Sequence, residues 1–585
     1  MNEAAIIHRA SSEYIYAGSR TDLYFKVLVA KGDMEKCTVV CWKRTLRNTD
    51  SRKSEKMEIA YQDAWRDDYR CHVSFSEPTH YIKYYFKLED RSGVCHYLTN
   101  EGLFREMPES GFFEYLYTND SDYFSVPDWA KGIVFYQIFP ERYKPGNVSK
   151  NRHLYERWDS IPTRDNYLGG DLKGIEQSLD YLKELGVGCL YLTPIFLADF
   201  NHKYATIDYK EVDPDFGTLD DLKRLVCNSH HKGIRILLDG VFNHCGIKFA
   251  PFQDVVNNDS LSRYSDWFFI HSFPVTAEPL NYECVGDYPL MPKLNTSNPE
   301  VQDFIIDVML YWLEVTGMDG WRLDVADEVD ASLWVKARRT IKARYPNALL
   351  IGETWTDGYG LVGDGMRLDA VMNYLFRDIM VDYFAKGAIA TTDFCFRIGN
   401  LLSRYWDEVN MAQYNLLGSH DTTRFLTEAG GDVRKCKLAV AFQMLFIGSP
   451  AIYYGEEAGM EGLTDPLCRG GMVWDAASRN EELAAWYKLL ISLRTTHHVL
   501  RCGSYVQVLA DDIRRVFAFE RCDGKERFIV FLHNGEGTAH VNLSATSIGG
   551  VWQDMMSDAE VRIDEQMMLD SYGVKIFREI LKKGE

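Results

Sequence analysis

The sequence lacks an uninterrupted apolar run long enough to cross a bilayer. Its most apolar stretch, LAVAFQMLFIGSPAIYYG, is broken by Gln443, Gly448 and Pro450, and reads as a buried helix leading into a buried strand. The opening, MNEAAIIHRASSEY, has no basic segment followed by an apolar one, so no secretory signal is read. The 13 cysteines show no CxxC or Cys/His metal spacing. An odd number without an export signal points to free thiols and a cytoplasmic address. Bases are in short supply: 65 Lys and Arg against 85 Asp and Glu leave a net charge of −20. That balance disfavours nucleic acid and anionic membrane as partners and suits a neutral substrate. Low-complexity tracts are absent too, and no internal repeat is evident.

What is present is a globular composition, 46% hydrophobic and 14% aromatic, in a chain too long for one small core. Residues 1–121 alternate strand-like segments (LYFKVLVA, CTVVCW, HYIKYYFKLED) with turns, predicting a β-sandwich. Residues 501–585 include RRVFAFERCDGKERFIVFLHN, a hairpin around Asp523 and Gly524, and predict a smaller all-β domain. Between them, over 122–500, short apolar runs recur with helical patterns in between: IVFYQIF, CLYLTPI, IRILLDG, DGWRLDV, ALLIGET, AVMNY, YNLLGSH and SPAIYYG. This predicts a multidomain α/β chain with a central (β/α)8 TIM barrel between two β-domains. The long gap after the third run places a small inserted domain at about 245–300.

Within the fourth run, GWRLDVADEVD poses a problem. Arg322 and Asp324 fall on one face of an otherwise apolar strand, a placement tolerable only if the charges meet. Asp239, Asp324, Glu353 and Asp421 close the third, fourth, fifth and seventh runs, and barrel active sites form where such strand ends converge. Clustered acids serve metal binding with His202, His244 and His420, proton abstraction beside a carbonyl, or glycoside hydrolysis with one protonated and one ionised carboxyl. A cation beside Asp324 competes with a metal and lowers that aspartate's pKa, which favours a nucleophile. The stretch from Gly358 to Gly363 matches G-x-G-x-x-G, but it begins several residues beyond its strand and reads as a loop, not a dinucleotide site.

DGVFNH (239–244), GWRLDVADEVD (320–330), GETW (352–355) and GSHDTTR (418–424) resemble the four ordered signature regions of the α-amylase clan, glycoside hydrolase family 13. MPKLN (291–295) resembles the mark of its cyclomaltodextrinase, neopullulanase and maltogenic amylase branch. YQIFPERY, YLGGDLKGI, HKYATIDY and DPLCRGGMVW fit that branch in order, so the likeness covers most of the chain. The resemblance implies Asp324 as nucleophile, Glu353 as acid/base and Asp421 as the acid that grips sugar hydroxyls. It implies that His244 and His420 donate to the same ring, and that Asp239 and Arg322 orient the nucleophile. His202 and Tyr204, with Asp465 and Arg469, match positions lining the non-reducing-side subsite. Trp355 resembles a stacking aromatic, and Glu328 matches a position tied to acceptor binding and transglycosylation.

The likeness also implies substrates: α-glucan oligosaccharides, cyclodextrins and pullulan, cut at α-1,4 links through a covalent glycosyl-enzyme with some transglycosylation. An α-glucosidase or glucanotransferase of the same clan is the alternative within the class. A carbohydrate-binding protein without catalysis is the alternative outside it. A homodimer through the N-terminal domain is implied by resemblance alone. Asp327 departs from the branch, which commonly has Asn there, and adds charge near Asp324. The chemistry needs no cofactor. A weak structural calcium would draw on Asn147, Ser149 and Asn151 with Gly170 and Asp171, although Lys150 and Arg152 oppose it.

Overall fold

The computed structural model describes residues 1–44, 52–116, 119, 123–147, 149, 155–544, 546 and 548–580. The strands Phe135–Ile138, Cys189–Leu192, Arg235–Gly240, Gly320–Leu323, Leu349–Gly352, Ala370–Val371, Tyr414–Leu416 and Ser449–Tyr453 pair in parallel as one sheet. They coincide with the eight apolar runs. Most are buried along their whole length, as expected when helices cover the outside and side chains fill the inside. The sixth and seventh strands form the sheet's two ends, and they meet through a parallel bridge between Met372 and Tyr414. The barrel is therefore closed.

Local chemistry sets the helix ends. Thr218 and Asp221 form a reciprocal capping box at the start of Leu219–His231. Asn298 caps Pro299–Thr316, and Gly317, at φ 71°, ends it in the left-handed region. Gly320, at φ 152°, opens the fourth strand against the fifth; a Cβ there would lie 2.1 Å from the Leu349 carbonyl oxygen. The apolar stretch broken by Gln443 is a helix, Val433–Leu445, followed by the eighth strand. The Gln443 amide donates to the Asn415 and Ala451 carbonyls at 2.9 Å, which repairs the break inside the core.

Between the third strand and the helix Pro299–Thr316 the chain makes an excursion that carries the α-helix Ala250–Asn258 and the short 3-10 turns Asp259–Leu261 and Ser265–Trp267. It is pinned back by the bridge between His244 and Lys293. The first nine strands, Ile15–Ser19 to Phe113–Tyr115, are antiparallel and enclose a core of their own. This unit docks on the barrel through Arg70 and Asp407 at 2.8 Å and through Trp406, which donates to the Ser12 carbonyl at 2.7 Å. The last sheet contains the expected hairpin, Val516–Cys522 against Arg527–His533. It docks through buried Arg521, whose guanidinium donates to the Leu445 and Leu500 carbonyls. All 13 cysteines are free thiols. Among the described residues, no helix is long and apolar enough to cross a membrane.

Candidate active site

The apolar strand with a charged face resolves at its C-terminal end. Arg322 Nη1 donates to both Asp239 oxygens at 2.9 Å and to Asp324 Oδ1 at 2.8 Å. Its Nη2 forms an ion pair with Glu353 Oε2 at 2.7 Å. One planar cation, its side chain 2% exposed, therefore touches three of the four acids. The third, fourth and fifth strands run side by side, which brings these side chains to one guanidinium. Its Nε donates to the Met372 thioether at 3.3 Å, so the fork is held from behind.

Asp421 joins through a relay. Tyr204 Oη donates to Asp239 Oδ2 at 3.0 Å and accepts from His420 Nε2 at 2.6 Å, with the two rings parallel within 3°. The Gln137 amide donates to His420 Nδ1 at 2.8 Å, which leaves the imidazole proton on Nε2. That nitrogen also lies 3.2 Å from Asp421 Oδ2. Arg469 closes the rim: Nη2 donates to Asp421 at 2.8 Å, Nη1 pairs with Asp465 at 2.8 Å, and Nε donates to the His420 carbonyl at 2.7 Å. Ten of the thirteen expected catalytic and substrate-binding residues share one neighbourhood through these contacts and those of His202 below.

Burial pushes the Asp324 carboxyl well above its ordinary value; Arg322 pulls it down, while Glu353 and Asp239 push it further up. The expectation that Arg322 lowers Asp324 is corrected here. The cation acts in that direction, but desolvation and two neighbouring acids outweigh it. Asp239 is likewise raised by burial against Arg322. These carboxylates face one guanidinium, and the charge of neighbouring acids adds to burial in disfavouring the ionised forms of Asp324 and Asp239. Burial pushes His420 well below its ordinary value, with Arg469 and Arg322 adding to the effect, so it is neutral.

His202 is lowered to about 3 by burial, stacks on Phe200 with centroids 5.2 Å apart, and accepts from the Tyr204 backbone N–H at 3.0 Å. Burial lowers His244 to about 4, with the Tyr204 backbone as the main opposing influence. Neither of its ring nitrogens has a hydrogen-bond partner of good geometry. Trp355 is 49% exposed and stacks on Tyr374 with centroids 4.0 Å apart, leaving one indole face outward. Glu328 accepts from Lys293 at 2.8 Å and from Asn243 at 3.3 Å. The bond from Lys293, itself in the MPKLN stretch, lowers Glu328.

The candidate calcium ligands that the structure describes are engaged by hydrogen-bond donors. Asp171 is the N-cap of Leu172–Gln177: Oδ1 accepts from the Gly146 and Gly174 amides at 3.0 and 2.7 Å, and Oδ2 accepts from the Asn147 amide at 3.0 Å. Asn147 Oδ1 accepts from the Ser149 amide and hydroxyl at 3.1 and 2.6 Å. A Cβ on Gly170 would lie 2.1 Å from the Pro140 carbonyl oxygen, so this glycine serves a close backbone approach. Asn151 lies outside the described residues. Among those described, no group of three or more His, Cys, Asp or Glu is placed to hold a metal.

Several members of the site carry little signal in the sequence. Gln137 and Tyr191 are register partners on the first two strands, and Tyr191 Oη donates to Asp239 at 2.6 Å. Their signal was a polar atom within an otherwise apolar run. Val325 gave none. It sits at φ 43° and ψ 48°, unusual for a β-branched residue, and this conformation turns its N–H onto Glu353 Oε2 at 3.0 Å. The Gly358 to Gly363 stretch contains a short helix, Tyr359–Val362.

Residues 137–492 match the family model for the α-amylase catalytic domain, and residues 1–119 match that for the N-terminal Ig-like domain of α-amylases. Neopullulanase 2 of Thermoactinomyces vulgaris is 41% identical over 95% of both chains. A cyclomaltodextrinase of Geobacillus thermopakistaniensis is 40% identical over 94% of both. A solved cyclomaltodextrinase structure superimposes with a TM-score of 0.93 at 35% identity, covering 99% of this chain and all of the other. With its closed barrel, its acid cluster and these matches, the chain belongs to the α-amylase family of glycoside hydrolases, family 13.

Proposed function

We propose that this enzyme is a retaining α-glucan hydrolase that cuts α-1,4 links of cyclodextrins, maltooligosaccharides and pullulan, with some transfer to sugar acceptors. The observation that carries the reading is Arg322 contacting both Asp324 and Glu353, at 2.8 and 2.7 Å, which keeps the two carboxyls within the span of one planar group. Retaining glycosidases need such a short separation. Relatives named cyclomaltodextrinase and neopullulanase support the substrate class.

In this mechanism Asp324 attacks the anomeric carbon while Glu353 gives its proton to the departing glycosidic oxygen. The bond to the leaving sugar breaks as the Asp324 ester forms. Glu353, now ionised, takes a proton from an incoming water or sugar hydroxyl, which displaces Asp324. Asp421, held by Arg469 and His420, grips the hydroxyls of the same ring. Neutral His420 and His244 donate to that ring. The outward face of Trp355 stacks on the acceptor-side sugar, and Glu328, held by Lys293, meets the acceptor beyond it. No metal enters any step. A cytoplasmic address and a homodimer through the N-terminal domain complete the proposal.

Chromatography of products from β-cyclodextrin, pullulan and starch tests the reading. Linear maltooligosaccharides from the ring, and panose from pullulan, are expected. An uncut ring would point to a non-catalytic binder, and maltotriose from pullulan to attack at α-1,6 links.

A further inference from the structure

The hairpin that joins Lys53–Gln62 to Arg66–Ser74 reaches from the N-terminal domain onto the barrel helix Thr391–Ser403. The approach is close: a Cβ on Gly399 would lie 1.8 Å from the Gln62 carbonyl oxygen. At the hairpin's tip stands Trp65, 81% exposed. Its backbone is fixed, because its N–H donates to Asp63 Oδ1 at 2.7 Å and its carbonyl accepts from the Lys31 amide at 2.9 Å. Lys31 also donates to the Asp63 carbonyl at 2.9 Å and lies 4.1 Å above the Phe396 ring. A rigid turn thus holds a large flat apolar side chain in water, which has a solvation cost and no packing return within the chain.

Trp65 lines a cavity of about 670 Å³ between the hairpin and the barrel. The opposite wall is one face of the helix that begins at Tyr374: Leu375, Asp378 and Ile379, continued by Asp382 one turn on. Tyr374 itself stacks on Trp355, so this wall is the continuation of a helix whose first residue borders the acid cluster. Arg404, at the cavity's edge, pairs at 2.6 Å with Asp357, two residues beyond Trp355. That ion pair ties the cavity's edge to the loop that carries Glu353 and Trp355. Four carboxylates and two guanidiniums line it, a balance that disfavours an anion and offers acceptors and donors to a neutral polyhydroxyl ligand.

We infer that this cavity is a second α-glucan subsite, in which a chain leaving the active site past Trp355 stacks a glucose unit on Trp65 while Asp378 and Arg404 bind its hydroxyls. The inference rests on the α-glucan reading above. An exposed indole matches the apolar face of a pyranose ring, and the polar fringe matches its equatorial rim. Longer chains reach this subsite and short ones do not, so it sets preference by chain length.

The test titrates maltotriose and maltoheptaose by calorimetry against the full chain carrying Glu353→Gln, with and without Trp65→Ala. Maltoheptaose affinity should fall about five-fold, the size of one aromatic contact, with maltotriose affinity unchanged. Asp378→Asn should lower the same affinity and leave maltotriose alone. Equal losses for both sugars, no loss for either, or a changed sedimenting mass in Trp65→Ala overturns the inference, the last because Trp65 would then be covered by a second copy. Turnover plays no part in this titration. Failure of the wild-type chain to cut either sugar would sink the hydrolase reading while leaving the Trp65 comparison legible.

Discussion

The Arg322 guanidinium lies 2.7 Å from the Glu353 carboxylate, the group proposed to move the proton. The sequence pairs Arg322 with Asp324, two positions away on the same strand face. Both acids share it, and so does Asp239. Replacing Arg322 by Ala leaves three buried carboxylates without a cation. Breaking such a pair costs about 3–5 kcal/mol of folding stability. Turnover should fall by about 10²- to 10³-fold, the effect of losing one preorganised donor. Urea unfolding and initial rates on β-cyclodextrin check both, and near-wild-type values for either would count against a shared cation.

Acid should unfold the chain through three largely desolvated histidines. Burial lowers His8 and His244 from 6.5 to about 4 and His202 to about 3. The unfolded chain therefore binds protons below pH 6.5 that the folded chain refuses until about pH 4. Their stabilisation is complete above pH 6.5 and is lost as pH falls toward 4, at up to about 1.4 kcal/mol per pH unit for each histidine. His8 lies in the N-terminal domain, away from the acid cluster, with its Nδ1 facing the Lys26 carbonyl at 2.7 Å. His8→Gln should reduce the slope of unfolding free energy against pH between 6.5 and 4.5. An unchanged slope would contradict the assignment.

Chelation should do little. Asp171 spends its oxygens on three backbone amides, so EDTA is expected to leave the melting temperature and the rate unchanged. Asp171→Ala should instead destabilise by about 1–3 kcal/mol, the cost of buried amides left without an acceptor. A clear drop in melting temperature with EDTA, restored by calcium, would reinstate a metal at this loop.

Much of the architecture was legible because parallel barrel strands are buried along their length, so each leaves an apolar run bounded by polar strand ends. Asp239, Asp324 and Glu353 stood out as charges closing such runs, and a motif in order supplied Asp421, His420 and Arg469. What stayed hidden depends on backbone or on distant partners. Val325 looks like one more apolar residue until its positive φ aims an N–H at Glu353. Met372 follows the sixth strand and bridges to Tyr414 of the seventh, a closure that no local pattern encodes. The direction of the Asp324 shift depends on how completely the cluster is buried, and adjacency in sequence to Arg322 carries no such information.

The most direct trial of the account is to trap the glycosyl-enzyme. Glu353→Gln protein incubated with α-maltosyl fluoride needs no acid to expel fluoride, yet lacks the base that would free the ester. Peptide mass spectrometry should then find a maltosyl group on Asp324. A stable protein that gains no adduct, or gains it on another residue, would contradict Asp324 as the nucleophile.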